Sequence, residues 1–184
     1  MVRPDRGTSP SIRDRCMNPD TNGAHARSRR SGQGLAATAG VVFGPYERAD
    51  EGVCLDLFDL NCPRYFAPCE RRDYAQFLDG EPLGFEVWRV DGRLVGASGL
   101  TGDDAECRRL SWILVDPDAV GLGVGSAMMR RALARAGGLG LRCVLIAASH
   151  LSAPFFARFG AVVVSETVDG WGPGMHRLDM EIRL

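Results

Sequence analysis

Residues 112–126 read WILVDPDAVGLGVGS, and this stretch decides the interpretation of the chain. Its apolar opening is typical of a buried strand, which Asp116-Pro117 ends. Glycines at 121, 123 and 125 then precede residues 126–136, whose Ala, Met, Leu and Arg content favours a helix. Such glycines let backbone N–H groups converge at a helix N-terminus, where the helix dipole adds positive potential. The stretch therefore predicts a site for an anion such as a pyrophosphate.

Two common nucleotide-binding motifs do not fit this stretch. A dinucleotide fingerprint needs its first glycine directly after a strand and an acidic residue about twenty positions later. Here Pro117 and a longer loop intervene, and the next apolar strand ends in Ala147-Ala148-Ser149. A phosphate-binding P-loop needs a lysine, whereas all 22 basic residues of this chain are arginines.

The segments around this stretch predict an α/β (α+β) domain with a mixed sheet flanked by helices. The run from Cys143 to Ala148 is continuously apolar, which indicates a strand buried on both faces and paired in parallel with a neighbour. Alternation and turn residues predict strands at 41–43, 85–90, 93–100, 106–115, 143–148, 162–164 and 178–184, and helices at 48–60, 68–78, 126–136 and 152–159. Residues 169–174 are expected to form a loop.

Charge and composition divide the chain into two parts. Residues 1–34 carry 7 Arg and 3 Asp with few apolar residues, so we expect a disordered Arg-rich extension. Residues 35–184 carry 15 Arg and 20 acidic residues and are expected to form the folded domain. The pair Arg29-Arg30 invites comparison with a twin-arginine export signal, but no bulky apolar residues follow it directly, which favours a cytoplasmic protein.

Composition also excludes several classes of protein. The 184 residues have a net charge of −1 and no apolar run of about 20 residues, which argues against nucleic-acid binding and against a membrane span. The six cysteines form no C-x-x-C pair, and Cys143 lies in an apolar run. We therefore expect reduced thiols, a buried thiol at Cys143, and no metal site.

Residues 41–184 resemble the GNAT superfamily of acyl-CoA-dependent N-acyltransferases. The resemblance rests on Val115-x-Pro117 with the loop 120–125, and on Ser149 followed by residues 155–160. It implies a mixed, mostly antiparallel sheet whose central strands splay apart, with acetyl-CoA as co-substrate in the gap. It also implies an N-acetyltransferase that moves the acetyl group to a primary amine of a small molecule or peptide.

The same resemblance assigns residues to the cofactor. Ile113, Leu114 and Val115 would lie along the pantetheine arm and the acetyl group, and a backbone N–H near Leu114 would stabilise the tetrahedral oxyanion. Ser149 and Phe156 would lie near the CoA thiol. The diphosphate would be held by Val120, Gly121, Leu122, Gly123, Val124, Gly125 and Ser126.

The chain departs from the family where side chains would do chemistry. Val120 stands where the family has Arg or Gln, so the phosphates would rest on backbone N–H groups. Phe156 replaces a tyrosine that protonates the leaving thiolate, which leaves that step to water, to Ser149 or to no acid at all. Arg109 aligns with the family's glutamate base.

Three side chains remain as candidates for the group that takes a proton from the amine. They are Glu106, His150 and His176. Residues 61–70 lie between the first two helices and are expected to supply one wall of the acceptor pocket through Asn61, Tyr65, Phe66 and Glu70.

Two other functions remain open. The departures at Arg109, Val120 and Phe156 would also suit a non-catalytic acyl-CoA-binding or regulatory module, and a general ligand-binding domain without a CoA site is a third alternative. The expected partners are acetyl-CoA and an amine, without nucleic acid or membrane, and a homodimer is the default assembly.

Overall fold

The computed structural model of the protein describes residues 40–184. Strands and helices follow one another in the order that the sequence predicts. They are β1 (Val41–Pro45), α1 (Glu51–Asn61), α2 (Glu70–Asp79), β2 (Phe85–Val90), β3 (Arg93–Thr101), β4 (Cys107–Val115), α3 (Val124–Gly138), β5 (Cys143–Ser149), α4 (Ala153–Ala157), β6 (Val162–Gly172) and β7 (Met175–Arg183). Short 3₁₀ turns at Arg48–Asp50 and Pro117–Ala119 precede α1 and α3.

The seven strands form one mixed sheet in the order β1-β2-β3-β4-β5-β7-β6. The pair β4–β5 is parallel, and the other neighbouring pairs are antiparallel. A parallel pair needs a crossover connection, and α3 supplies it. The α/β fold with a mostly antiparallel sheet is confirmed.

The central strands β4 and β5 separate after a short paired region. Residues 107–110 of β4 pair with residues 143–146 of β5, and the pairing stops there. Beyond this point β4 stays paired with β3, and β5 stays paired with β7 up to Ser149. The sheet therefore opens into a V between the C-terminal ends of its two parallel strands.

Helices cover both faces of the sheet, and a hydrophobic core lies under each layer. Helices α1 and α2 bury Phe58, Tyr74 and Leu78 against side chains such as Val87 and Leu114 of the sheet. Helix α3 packs on the other face in two clusters. Some of its side chains pack with Leu110 of β4 and Val144 of β5, and others pack with residues of β2 and β3. The sheet residues in these cores alternate along each strand, as period-two patterning requires.

The C-terminal hairpin is longer than the sequence predicts. Strand β6 runs from Val162 to Gly172, and β7 begins at Met175, so most of the expected loop 169–174 is strand. The pairing is irregular between Thr167 and Gly172, where Asp169 has a positive φ. The glycines that suggested a loop therefore lie in an irregular end of a strand. A sequence rich in Gly and Asp is compatible with both a loop and an irregular strand, so it cannot distinguish them.

The prediction of reduced thiols holds for Cys54 and Cys62 but is wrong for Cys69, Cys107 and Cys143. Cys143 is not a free thiol, because it forms a disulfide bond with Cys107. These residues are the first registered pair between β4 and β5, so the disulfide crosses the two parallel strands at the closed end of the V. The cysteines are 36 positions apart, and the parallel pairing that brings them together is visible in the fold alone. The cytoplasmic location stays a prediction.

The predicted extension of residues 1–34 lies outside the described residues. The Arg29-Arg30 pair lies there as well, so the interpretation of these segments stays a prediction. Within residues 40–184, no helix combines the length and the apolar character needed to cross a membrane.

Candidate active site

A cleft of about 800 Å³ opens where β4 and β5 diverge. Its lining comes from the ends of these two strands, the glycine loop with the first turn of α3, the segment around α4, the segment from the end of α1 into α2, and Trp171 of β6. The loop and the helix start therefore share one cavity with the splayed strands. Such a cavity is large enough for a ligand of cofactor size.

The glycine loop presents free backbone N–H groups to this cleft. Gly121 and Gly123 have φ of +93° and +80°, a region that residues with a Cβ rarely adopt. The first helical hydrogen bond of α3 runs from the Ala127 N–H to the Gly123 carbonyl over 2.9 Å, so the N–H groups of residues 124–126 have no partner within the helix. No acidic residue lies in the first turn of α3. Residues 123–126 thus form a positively polarised cradle for an anion.

Other N–H groups of the loop have partners of their own. The Val120 N–H donates to the Pro117 carbonyl at 3.3 Å, and the Leu122 N–H donates to the Ala119 carbonyl at 3.2 Å. The Val120 side chain is 72% exposed, and Leu122 is not among the residues that line the cleft. The N–H groups of Val120 and Leu122 therefore stabilise the loop itself. The N–H groups that can bind an anion are those of residues 123–126, at the start of α3.

Asp116 fixes the start of the loop. Its carboxylate is buried, accepts a hydrogen bond from the Asp118 N–H at 2.8 Å and pairs with Arg93 of β3. The Asp116 N–H donates to the Val95 carbonyl at 2.8 Å, so backbone and side chain both tie this residue to β3. The loop is therefore held at a constant position relative to the end of β4.

A bulge in β4 lies beside the opening of the V. Ala97 pairs with Leu114 and Gly99 pairs with Ser111, so two residues of β4 face Ser98 of β3. One of the two, Trp112, has φ of +50°, which is unfavourable for a bulky side chain. Its ring lies 4.8 Å from that of Tyr74 and packs in the core under α1 and α2. A strained residue held by core packing is typical of a functional site.

Asn61 connects α1 to the last residue of β4. Its side-chain amide is buried and donates to the Leu57 carbonyl at 2.9 Å and to the Val115 carbonyl at 3.0 Å. The sequence places Asn61 in the acceptor wall, and the structure brings it to the cleft as a link between the helix and the strand. It fixes the free end of β4, which has no β5 neighbour there.

Glu70 is a buried acid at the first position of α2. Its side chain lines the cleft and is 4% exposed, and one carboxylate oxygen accepts the Ala67 N–H at 2.7 Å. Burial raises the pKa of Glu70 to about 7, with a further contribution from Asp73, while the Ala67 hydrogen bond and the charge of Arg177 oppose the rise. A carboxyl group with a pKa near neutrality can exchange a proton with a substrate at physiological pH.

The three groups that the sequence selects as bases lie outside the lining of the cleft. Glu106 is exposed at the far end of β4, where it lies 3.5 Å from Arg142. His150 and His176 face each other with ring centroids 5.0 Å apart, and each accepts a backbone N–H at Nδ1, His150 from His176 and His176 from Asp169. The two histidines thus hold the start of β7 against the end of β5.

Most of the residues assigned to the cofactor do lie around the cleft. Leu114 is fully buried in the core on the other side of β4, so it can reach the cleft through its backbone alone. The assigned residues that line the cleft are Ile113, Val115, Val120, Gly121, Gly123, Val124, Gly125, Ser126, Ser149 and Phe156.

Ser149 and Phe156 lie on the β5 side of the cleft. The Ser149 hydroxyl lies 3.1 Å from the Ser152 hydroxyl, and the Phe156 side chain is 2% exposed within the core under α3. Ser149 and Ser152 are therefore hydroxyl groups that the β5 side offers to a bound molecule, whereas Phe156 offers none.

Two further lining residues, Trp171 and Arg158, are not among the site residues predicted from the sequence. Trp171 donates its indole N–H to the Ala148 carbonyl at 3.2 Å, so the β6–β7 hairpin closes one side of the V. Arg158 follows α4, and its guanidinium lies 5.1 Å from the Phe155 ring centre. A Cβ at Gly125 would lie 3.3 Å from that ring, so Arg158 is near the anion cradle. Both residues reach the site through tertiary packing.

Among residues 40–184, no group of three or more His, Cys, Asp or Glu side chains is arranged to hold a metal ion. The polar groups that line the described part of the cleft include Asn61, Glu70, Asp73, two arginines, serine hydroxyls and the backbone N–H groups of the glycine loop.

Solved structures with this fold are numerous. Ard1 from Thermoplasma volcanium is 16% identical with a TM-score of 0.68, and the alignment covers 78% of this chain and 97% of that one. Rv2747 from Mycobacterium tuberculosis, solved in complex with CoA, is 19% identical with a TM-score of 0.61, over 78% of this chain and 99% of that one. N-acetylglutamate synthase from Neisseria gonorrhoeae, solved with CoA and N-acetyl-glutamate, is 19% identical with a TM-score of 0.59, over 81% of this chain and 36% of that one. These likenesses confirm the fold.

Sequence comparison identifies the family. No curated protein sequence matches the chain. The sequence model of the acetyltransferase (GNAT) family, however, matches residues 54–161, which run from α1 to the end of the α4 region and include the bulge and the glycine loop. That match spans more than half of the 184 residues. The chain therefore belongs to the acetyltransferase (GNAT) family.

Proposed function

We propose that the protein transfers an acetyl group from acetyl-CoA to a primary amine by direct attack within a ternary complex. The observation that carries this proposal is the continuity of the cleft, which joins the N–H groups of residues 123–126 to the gap between β4 and β5. The CoA present in the structures of Rv2747 and of N-acetylglutamate synthase supports the same co-substrate here.

The proposed arrangement of acetyl-CoA follows from the polarity of the cleft. The pyrophosphate binds at the N-terminus of α3, with Arg158 nearby as a cation that the sequence analysis did not select. The pantetheine arm lies along Ile113 and Val115 on one side and Ala147 and Ser149 on the other. Unpaired strand edges give the amide groups of the arm hydrogen-bonding partners in the V.

The chemical step needs a free amine and a stabilised oxyanion. The amine nitrogen attacks the thioester carbonyl carbon, and the negative charge that develops on the carbonyl oxygen is stabilised by a backbone N–H at or next to Leu114. Glu70 takes the proton from the ammonium group of the acceptor, because it lines the cleft and its pKa of about 7 suits this exchange.

Collapse of the tetrahedral intermediate breaks the C–S bond and releases the CoA thiolate. Phe156 cannot donate a proton, so the thiolate is protonated by water or by the Ser149 hydroxyl, which lies beside Ser152. No covalent acyl-enzyme is involved, and the protein acts through positioning and electrostatic stabilisation. The proposed homodimer takes no part in this chemical step.

A second candidate function is a non-catalytic acyl-CoA-binding or regulatory module. It is favoured by Phe156, whose ring is buried on the β5 side without any proton donor of its own. Such a module would use the same cradle and the same gap.

Two measurements decide between these functions. Calorimetric titration with acetyl-CoA, CoA and NAD should give saturable binding of the two CoA ligands and none of NAD. Release of free thiol is then followed in a panel of amines at saturating acetyl-CoA. Amine-dependent thiol release supports the transferase, and CoA binding without turnover of any amine supports the module. Failure of both CoA ligands to bind would overturn both functions.

A further inference from the structure

Arg109 carries a positive charge into the acceptor side of the cleft. It lies on β4 directly before Leu110, whose side chain packs in the core under α3. Successive side chains of a strand point to opposite faces, so Arg109 lies on the face that α1 and α2 cover further along the sheet. It is exposed and lines the cleft together with Glu70 and Asp73.

The backbone of Arg109 is paired within the sheet, but its side chain makes no hydrogen bond, ion pair or ring contact with any of residues 40–184. Neighbouring arginines of this face do have carboxylate partners. Arg177 of β7 lies 2.6 Å from Asp179, and Arg183 lies 2.9 Å from Glu181. An unpaired guanidinium in a cleft is a site for an anionic group, because its planar donors match a carboxylate in geometry and charge.

The acids around Arg109 are engaged elsewhere. Glu181 faces Leu145 of β5, which itself faces Arg109, so one strand separates the two charges, and Glu181 bonds to Arg183. The basic residue that lowers the pKa of Glu70 is Arg177. Arg109 therefore remains available to a ligand.

The two arginines of the cleft lie at different ends of it. Arg158 packs on Phe155 beside the α3 N-terminus, where the pyrophosphate is expected. Arg109 lies at the closed end of the V, where β4 still pairs with β5. An anion at Arg109 is thus separate from the phosphates of acetyl-CoA.

We infer that the acceptor is an amine that also carries a carboxylate, as amino acids do, and that Arg109 is a specificity-determining residue that binds this carboxylate. The inference rests on the proposed function and deepens it. A bound acceptor would direct its carboxylate to Arg109 of β4 and its amino group to Glu70 of α2, which both line the cleft and carry side chains of opposite charge type. Simple amines and polyamines would meet an unfavourable positive charge at Arg109.

Matched acceptors test this inference. The kcat/KM values at saturating acetyl-CoA are measured for L-methionine and L-methioninamide, for L-phenylalanine and L-phenylalaninamide, and for 4-aminobutyrate and its amide. Each value is calculated for the free-base form of the amine, so that differences in the protonated fraction do not enter. We expect at least one carboxylate to exceed its amide by 10-fold or more, since a charge-assisted pair is lost in the amide.

Substitution of Arg109 should remove that preference. In Arg109→Gln the value for the preferred carboxylate should fall 10- to 100-fold, while the value for its amide changes less than about 3-fold. Arg109→Lys should restore part of the preference. The matched control is Arg130→Gln, an exposed arginine of α3 that does not line the cleft, which should leave both values unchanged. The acetyl-CoA dissociation constant should be the same in all four proteins.

The outcomes separate this inference from the function beneath it. Turnover of amines with equal values for carboxylates and amides would overturn the inference and leave the transferase intact. An equal loss for carboxylate and amide in Arg109→Gln would also overturn it, because it would assign Arg109 a structural role. No turnover of any of the six compounds despite acetyl-CoA binding would overturn the transferase and this inference together.

Discussion

The carboxyl group of Glu70 is the buried acid of the cleft, and its protonation state decides whether it can accept a proton from an amine. Burial raises the pKa of Glu70 to about 7, so the group is largely neutral below that pH and charged above it. We expect kcat/KM for the amine to rise with pH through about 7. Glu70→Gln should lower kcat by about 100-fold and remove that rise, because the amide cannot take a proton.

A matched control for this prediction is His176→Gln. His176 lies outside the lining of the cleft, and glutamine can still accept the Asp169 N–H that the Nδ1 atom accepts. We expect this variant to keep its rate within about 3-fold and to keep the same pH profile. If His176→Gln lost the pH-dependent rise and Glu70→Gln retained it, the base would be the histidine that the sequence analysis selected.

The same carboxyl group should also make the stability of the protein depend on pH. The pKa of Glu70 is raised from 4.5 in a free side chain to about 7, so the folded state binds a proton that the unfolded state releases between these values. Protonated Glu70 therefore makes its full contribution to the stability of the folded state below pH 4.5, and this contribution is lost as the pH rises through 7. At pH 8 the charged group lowers the free energy of unfolding by an amount on the order of 3 kcal/mol, relative to the protonated group at low pH.

Glu70→Gln removes this penalty and keeps an oxygen that can accept the Ala67 N–H. We expect the variant to melt at a higher temperature than the natural protein at pH 8, with the difference shrinking towards pH 5. Thermal unfolding at several pH values measures this directly. A constant difference across that range would mean that Glu70 is not an acid of raised pKa in the folded state.

At the scale of elements, the glycine loop and the N-terminus of α3 act as one anion site. Gly123 is the residue before the helix, with φ of +80°, and a Cβ there would meet no atom within 4 Å. Gly123→Asp would place a negative charge at the cradle and should weaken acetyl-CoA binding by 100-fold or more. Gly123→Asn has nearly the same size and tolerates positive φ, so its loss should be about 10-fold smaller.

Calorimetric dissociation constants for acetyl-CoA measure both variants. Equal losses for Asp and Asn would mean that backbone conformation rather than charge governs the loop. Unchanged affinity in Gly123→Asp would remove the cradle from the binding site altogether.

The sequence predicts those elements whose pattern is local. The strand before Asp116 and the helix after Gly125 were predicted to within two or three residues, because periodicity and turn residues act over short distances. The position of the glycine loop directly before α3 was predicted for the same reason. The predicted strand lengths were wrong in the C-terminal hairpin, because the irregular end of β6 has the amino-acid composition of a loop.

Features that depend on contacts between distant residues could not be predicted. The Cys107–Cys143 disulfide depends on the register between two strands. The raised pKa of Glu70 depends on its burial in the folded protein, and the polar residues next to Glu70 in the sequence do not indicate that burial. The sequence places Glu70 in the acceptor wall, whereas the predicted bases are Glu106, His150 and His176. His150 follows the end of β5 and His176 lies at the start of β7, but neither residue lines the cleft.

At the scale of the whole molecule, the sheet consists of two parts joined at one short seam. Strands β1 to β4 form one part and β5 to β7 the other, and four residue pairs between β4 and β5 connect them. The Cys107–Cys143 disulfide lies at the closed end of the V. Nearer the open end, the Trp171 side chain of β6 bonds to the Ala148 carbonyl of β5. A ligand in the V would contact both parts and replace the strand pairing that is missing there.

Acetyl-CoA should therefore stabilise the folded protein as a whole. A ligand that binds the folded state alone, present at 100 times its dissociation constant, adds about 2.7 kcal/mol to the free energy of unfolding. For a domain of this size we expect the melting temperature to rise by about 5–10 °C. NAD should give no shift, and Gly123→Asp should abolish the shift with acetyl-CoA. Hydrogen exchange gives the location: amides of residues 111–115 and 147–149, on the two edges of the V, should gain the most protection. Protection confined to one part of the sheet would contradict a ligand that bridges the two.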